Sequence, residues 1–408
     1  MADALEPRDA KEVEEAIQWA LAGGKALEII GRGSKRAIGR AAQWDATLDM
    51  SGLSGVTLYE PEELVLSAKA GTPLAEIEAL VAANKQELAF EPLDYAAVLG
   101  GPAGAGTIGG AIAANLSGPR RIKAGAARDH FLGFAAVSGR GEIFKSGGRV
   151  VKNVTGYDLC KLLAGCWGTL AAMTEVTVKT LPQAETEETI LVLNLDDGAA
   201  GKAMNAAMGS YADVSAAAHL PAQAAARIAE TASADAAVTA FRLEGVAPSV
   251  EQRKGVLQAL LSPFGALGGL GEAPSRALWR AIRDVAPFAA SGPAGRHDLW
   301  RISTPPTRGA GVGRALTEQA GAELLFDWAG GLIWAALPAT ADAHAPTVRA
   351  TVAATGGHAT LIRAPAAVRA AVDVFTPEAP AVAALTKRVR ESFDPQGVLN
   401  AGRMWAGV

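Results

Sequence analysis

The stretch TIGGAIAANLSGPRRIKAGAARDHFLGFAAVSGRGEIFKSGGRVVKNVTGYDLCKLLAGCWGTL, residues 107–170, decides the fold. Gly109, Gly110, Ala111, Ala113 and Ala114 leave one helical turn with almost no side-chain bulk. A backbone that bare can approach a flat or anionic ligand, and its free N–H groups can bind phosphate oxygens. Packing against a neighbouring helix would explain the same residues, so the stretch has to be read with its surroundings.

Upstream, helices and strands alternate with glycine turns. Asp9 with Glu12 three residues later reads as a capping box. Val13, Ile17 and Leu21 then share one helical face, and Gly23-Gly24 ends the helix. A short apolar strand, residues 26–30, runs straight into Gly31-Arg32-Gly33-Ser34-Lys35. This is not the dinucleotide fingerprint, because position 36 is Arg and no amphipathic helix opens there. A Walker lysine followed by Ser or Thr is also missing. What remains is a glycine turn with successive N–H donors, a hydroxyl and two cations, the composition of an anion-binding nest. A second unit follows: a strand at 64–70, Thr72 as cap, Pro73 at the first helical position, and Leu74, Ile77, Leu80 and Val81 as the apolar stripe. Residues 131–138 and 142–145 read as a hairpin turned by Gly139-Arg140-Gly141, and a strand at 170–181 ends at Pro182 and a polar linker.

Beyond the linker the chain is alanine-rich, with strands expected near 189–195 and 237–243 and helices between and after. A clearer order begins at 299: strand 299–303, helix 311–320, strands 323–328 and 332–337 paired around Gly330-Gly331, helix 343–354, strand 358–362. That order is βαββαβ, the arrangement of ferredoxin-like sandwiches. A last amphipathic helix at 381–392 leads into FDPQGVLNAGR, which ends at Arg403.

A chain of 408 residues is too long for one ordinary core and implies two domains or one domain with a large insertion. Half the residues are hydrophobic and 20% are charged, while the net charge of −4 gives no electrostatic case for nucleic acid. The polar N-terminus is no secretory signal, and no apolar run is long enough to span a bilayer. Cys160 and Cys166 match neither zinc nor iron–sulfur spacing, so a reduced, cytoplasmic protein is expected.

Five segments, IIGRGSK, AGTPLAEI, GGPAGAGTIGGAIAANLSGPRRIKAGAARDHFLG, VVKNVTGYDLCKLLAGCWGTLAAMTEVTVKTLP and FDPQGVLNAGRM, together resemble the vanillyl-alcohol oxidase (PCMH-type) family of flavoproteins. Within it they are most similar to the FAD-binding subunits of bacterial glycolate oxidases. The resemblance implies an α+β fold: a PCMH-type FAD-binding domain of two subdomains (1–183), an inserted cap, ferredoxin-like in its second half (184–370), and a C-terminal segment returning to the first domain (371–408). It implies FAD without a covalent link, because GRGSKR contains neither the His nor the Cys that such links use. By the same resemblance, Gly31, Arg32, Gly33, Ser34 and Lys35 line the first phosphate loop. Thr107, Ile108, Gly109, Gly110, Asn115 and Gly118 wrap the ribityl chain and dinucleotide, with Pro102 and Gly106 in the same segment. Gly165, Gly168, Thr169 and Leu170 approach the adenosine, and Asn400 and Arg403 return towards the flavin.

The family's catalytic 2-hydroxyacid dehydrogenases carry a histidine-ended metal motif in the cap. Here His130, His219, His297, His344 and His358 form no such constellation, so no metal is expected, and His130 reads as a solvated or core histidine. The resemblance therefore implies an FAD-binding subunit of a multi-subunit glycolate-type dehydrogenase. It would give structural or electron-transfer support to a sister catalytic flavoprotein subunit and an iron–sulfur subunit, and any membrane association would come through those partners. The alternative is an independent FAD-dependent 2-hydroxyacid oxidoreductase. For that, Arg301 in LWRISTPP is the candidate to grip a substrate carboxylate bidentately, its other reading being a surface or interdomain salt bridge. A flavin-free scaffold is a third reading, against which the intact glycine loops argue.

Overall fold

A computed structural model describes residues 3–148 and 156–406. The first subdomain is a parallel sheet of Asp3–Leu5, Ala46–Asp49 and Leu27–Ile30, in that spatial order, covered by helix Ala10–Gly23. Asp9 accepts from the N–H groups of Lys11 and Glu12 at 2.8 and 2.9 Å, while Glu12 reaches back to Arg8 N, at 2.7 Å. Val13, Ile17 and Ala20 bury against Leu27, Ala46 and Leu48, and Gly24 ends the helix at φ +59°.

The second subdomain is an antiparallel sheet ordered Val56–Glu60, Val65–Lys69, Ala171–Lys179, Phe131–Ser138, Ile143–Gly147. Its two central strands, 131–138 and 171–179, are buried along most of their length, which explains their unbroken apolar character. Helix Leu74–Ala83 starts one residue later than read: Pro73 is its cap rather than its first residue, and Thr72 does not cap it. The Thr72 hydroxyl donates to Lys69 O (2.6 Å) and accepts from Gly55 N (3.0 Å), closing the turn that follows strand Val65–Lys69.

Gln86–Glu87 and Leu181–Pro182 form a two-stranded ribbon, and the other strands form one eight-stranded antiparallel sheet: Leu267–Leu270, Thr186–Leu193, Val238–Gly245, Ala216–Leu220, Glu323–Asp327, Leu332–Leu337, Asp298–Ser303, His358–Arg363. Its second half is a βαββαβ unit with helices Gly309–Ala320 and Ala345–Ala353, its strands lying in the order fourth, first, third, second. The first half repeats both the connectivity and the order, with helices Asp197–Met208 and Ala247–Leu261. The two units join at their second strands, where His219 pairs with Phe326. Sequence patterning exposes only the second unit. The strands AAAHL and LGGL of the first carry almost none of the β-branched or alternating residues by which a strand is recognised.

One face of this sheet is covered by its own helices, over cores built around Trp300, Ile302 and Ile333 in one unit and Ile190, Val192 and Phe241 in the other. The opposite face, with Ala218, Ala240, Leu325, Trp334 and Ile362, shares a core with Leu66, Phe90, Val98 and Val176 of the N-terminal region. Among the described residues no helix is long and apolar enough to cross a membrane.

A buried ion cluster fastens that junction. Glu91 accepts both Nη atoms of Arg242 at 2.8 and 3.0 Å and the backbone N–H of Arg120 at 2.8 Å. Arg120 also pairs with Glu87 and lies 3.4 Å from Glu244, while Arg242 stacks on Trp279. Burial alone would raise the Glu91 carboxyl; Arg242 and Arg120 override it and hold that group well below the usual carboxylate range. Removing Arg242 leaves the buried Glu91 carboxylate with Arg120 as its one remaining cation among the described residues. Arg242→Met is therefore expected to cost about 3–5 kcal/mol in denaturant unfolding. The double variant Arg242→Met/Glu91→Met should lose less than the sum of its two single changes.

Candidate functional site

A cleft of about 680 Å³, open at one side, runs between the two N-terminal subdomains. Its walls are the end of strand Leu27–Ile30 with the turn Gly31–Arg36, the turn of helix Ile108–Ala113 with Ala114, the loop Trp167–Gly168, and Asn400 with Arg403. Met50, Ala70, Ala171 and Met173 form its floor. The turn is held from behind, since Gly33 O and Lys35 O accept from Arg36 N and Ile38 N at 3.1 Å each, and Arg36 pairs with buried Glu28. The N–H groups of residues 31–35 donate to no carbonyl or side chain among the described residues. Arg32 is exposed, but Gly31, Gly33, Ser34 and Lys35 are half-buried, and backbone donors so placed need partners, here on the cleft side.

Of the residues singled out from the sequence, Gly31, Arg32, Gly33, Ser34, Lys35, Thr107, Gly109, Gly110, Gly168, Asn400 and Arg403 line this cleft. The others are engaged elsewhere. Ile108 and Leu170 lie in the core, and Pro102 is exposed. Gly106 packs on Leu74, and a Cβ on Gly118 would stand 2.7 Å from Glu91 O. Asn115, at φ +49°, accepts Arg128 N at 3.0 Å. Thr169 donates to Cys166 O at 2.7 Å, and a Cβ on Gly165 would face only Asn115. Gly109 lines the cleft, yet its missing Cβ serves packing: it would lie 2.8 Å from Ala70 O. For Gly110 the Cβ would instead point to Lys35 Nζ, at 3.2 Å. The segment 149–155, part of the fourth resembling stretch, lies outside the described residues. Sequence reading passed over Ile29, Met50, Trp167 and Met173, apolar residues carrying no motif.

Asn400 lines the cleft with its side-chain amide engaged by the protein. Its Oδ1 accepts Ile29 N at 2.8 Å, its Nδ2 donates to Trp167 O at 2.7 Å, and its backbone N–H donates to Leu27 O at 2.9 Å. The clasp brings Arg403 into the wall, where Nη2 donates to Lys35 O at 2.8 Å and the guanidinium lies over Trp167. Arg403 is 5% exposed, its Nε has no partner, and burial pushes its pKa down to about 10. Lys35 is enclosed beside it; burial, then Arg403, lower its ammonium to about 8 against a small opposing pull from Asp94. Two enclosed cations without a paired carboxylate fit a diphosphate.

On the cap sheet, Arg301 forms neither an ion pair nor a hydrogen bond among the described residues, so the salt-bridge reading has no support there. Its guanidinium lies over Trp328 (5.0 Å) and Trp334 (6.0 Å), with Arg121 against Trp328 at 4.4 Å. Trp328 and Ala329 adopt φ +52° and +56°, a strained turn pinned by Trp328 Nε1 donating to Gly118 O at 2.9 Å. Asp327 caps that turn from inside, and burial raises its carboxyl to about 7. His130 is a core histidine, its Nε2 2.9 Å from Ala124 O. Among the described residues no three His, Cys, Asp or Glu side chains converge on a metal-sized site.

Solved structures with the same architecture include p-cresol methylhydroxylase with substrate bound (TM-score 0.68, 12% identity, 98% of this chain and 88% of that one). An alkyldihydroxyacetonephosphate synthase is a second (TM-score 0.69, 17% identity, 97% and 75%). A family profile described as FAD binding domain matches residues 2–147. Fold and cleft thus define an FAD-binding flavoprotein of PCMH type. Glycolate oxidase subunit GlcE of Escherichia coli (strain K12) is 31% identical over 392 residues, 96% of each chain, and this chain belongs to its family. Glycolate oxidase subunit GlcD of Bacillus subtilis (strain 168) is 44% identical over 95 residues, 23% of this chain and 20% of that protein.

Two outcomes follow from this geometry. Gly110→Leu should fold and lose flavin, because its side chain enters the cleft at Lys35. Gly109→Leu should lose stability first, its side chain meeting Ala70, at a cost of about 1–3 kcal/mol; circular dichroism and flavin absorbance separate the two. Asp327 has a folded pKa raised above 3.8, so its contribution to stability is full below pH 4 and is lost as pH climbs through 7. Asp327→Asn should raise the melting temperature at pH 8 and leave it unchanged at pH 4.

Proposed function

We propose that this chain is the FAD-carrying support subunit of a glycolate-type 2-hydroxyacid dehydrogenase, assembled with a sister catalytic flavoprotein subunit and an iron–sulfur subunit. The observation that carries the reading is the match to a glycolate oxidase subunit along 96% of both chains, joined to a cleft whose donors and cations suit a dinucleotide. In this reading FAD supplies two-electron chemistry. The chain's residues bind it: the N–H groups of 31–35 and the cations face its diphosphate, while Gly110, Ala113 and Ala114 leave room for its length. None of the described cleft residues is His, Cys or Tyr, which supports a non-covalent cofactor. The protein works in the cytoplasm and meets a membrane only through its partners.

A second reading has its own observation. Arg301, unpaired over two tryptophans, shares a sheet face with Asp327, a carboxyl titrating near neutrality, and together they offer a cation and a base to an independent 2-hydroxyacid oxidoreductase. Purification decides between them. Acid precipitation of the yellow protein should release its flavin into the supernatant. The flavin-loaded chain alone should give little glycolate or lactate turnover with a dye acceptor, and turnover should appear on adding the sister subunits. Substantial turnover by the chain alone, abolished in Arg301→Ala, would establish the second reading.

A further inference from the structure

We propose that Lys35 and Arg403 form a two-cation diphosphate site, so that the cleft selects its dinucleotide by the charge of the diphosphate as well as by backbone donors. The inference rests on reading the cleft as the FAD site and adds which atoms recognise which part of the ligand. Three independent features converge on one point of the wall. Five N–H groups, those of residues 31–35, have no acceptor among the described residues. Arg403 lines the cleft, is buried, and has no hydrogen-bond partner for its Nε among the described residues. Lys35 Nζ is held at 3.1 Å from Ser34 Oγ, where a Cβ on Gly110 would stand 3.2 Å away, and no carboxylate pairs with it among the described residues.

The neighbouring charges sharpen the case. Arg36 is taken by Glu28 within the first subdomain, and Arg369 donates to Gly39 O, so neither is released to the ligand. Asp94 is the acid that acts on Lys35, and its two oxygens accept the N–H groups of Ala96 and Gly104. Arg403 is tethered through Nη2 to Lys35 O, which fixes the cations relative to one another. Holding two like charges together costs energy that an anion of two negative charges relieves. A flavin without phosphates relieves none of it.

Lys35 also makes binding depend on pH. Its ammonium sits at about 8 in the free chain, and a bound diphosphate raises it, so binding above pH 8 takes up a proton. Affinity for FAD is then flat below about pH 7 and falls above pH 8, by at most about tenfold per unit.

The test is equilibrium titration of the flavin-stripped full-length chain with FAD, ADP and riboflavin, from pH 6.5 to 9.5. Lys35→Met and Arg403→Met should each weaken FAD and ADP about 10- to 100-fold and leave riboflavin unchanged. Lys35→Arg should keep the affinity and abolish the pH dependence, and it serves where a methionine variant fails to fold. Wild-type FAD affinity in folded Lys35→Met, equal weakening of riboflavin, or an unchanged pH profile in Lys35→Arg would overturn the proposal while leaving the FAD cleft in place. A wild-type chain that binds neither FAD nor ADP would remove the cleft reading itself, and the proposal with it.

Discussion

The architecture turns on one side chain, Asn400. A single carboxamide, with both of its atoms used, joins the strand Leu27–Ile30 of the first subdomain to the loop at Trp167 in the second. Its own backbone extends the junction through Leu27 O, and Leu27 N reaches Val398 O at 2.7 Å. An amide can do this because it offers a donor and an acceptor at fixed separation. Asn400 adopts φ +45°, a conformation that Asn tolerates better than most residues. Gly168 has no Cβ because one would lie 2.7 Å from Asn400 Nδ2. Gly39, at φ +100°, leaves space for Arg403 in the same way. These two glycines are the negative image of an asparagine and an arginine.

The cap follows a different logic. Two βαββαβ units lie side by side in one sheet, and their matching strand orders make each half the counterpart of the other. The halves have diverged in what they present to the N-terminal region. The first supplies Arg242 and Glu244 to the buried ion cluster, and the second supplies Arg301, Asp327, Trp328 and Trp334. Both halves pack on the N-terminal region, the first through ion pairs and the second through its tryptophans, and the second carries the unpaired guanidinium.

Much of this was legible in the sequence, and the reasons for the remainder are physical. Strands 131–138 and 332–337, the helix opening at Leu74 and the turn at Gly31 announce themselves through local pattern: apolar runs, a proline at a helix start, paired glycines. The first cap unit did not, because alanine and glycine strands owe their pairing to neighbours far along the chain. Gly109 and Gly118 were read as approaches to a ligand; a Cβ on them would meet Ala70 and Glu91, and Gly109 also lines the cleft. A sequence shows that a Cβ is missing and cannot show what occupies the space. Asp327 was invisible for the same reason, since its raised pKa comes from burial beneath a strained turn.

The clasp also sets an order of events. Residues 29 and 167 leave the ribosome long before residue 400, so the last wall of the cleft is also the last to be synthesised. A nascent chain has the floor and the glycine turn of the cleft but not the arginine and asparagine that close it. Closure of the cleft is therefore a late event in biogenesis, because it waits for the returning segment to be translated.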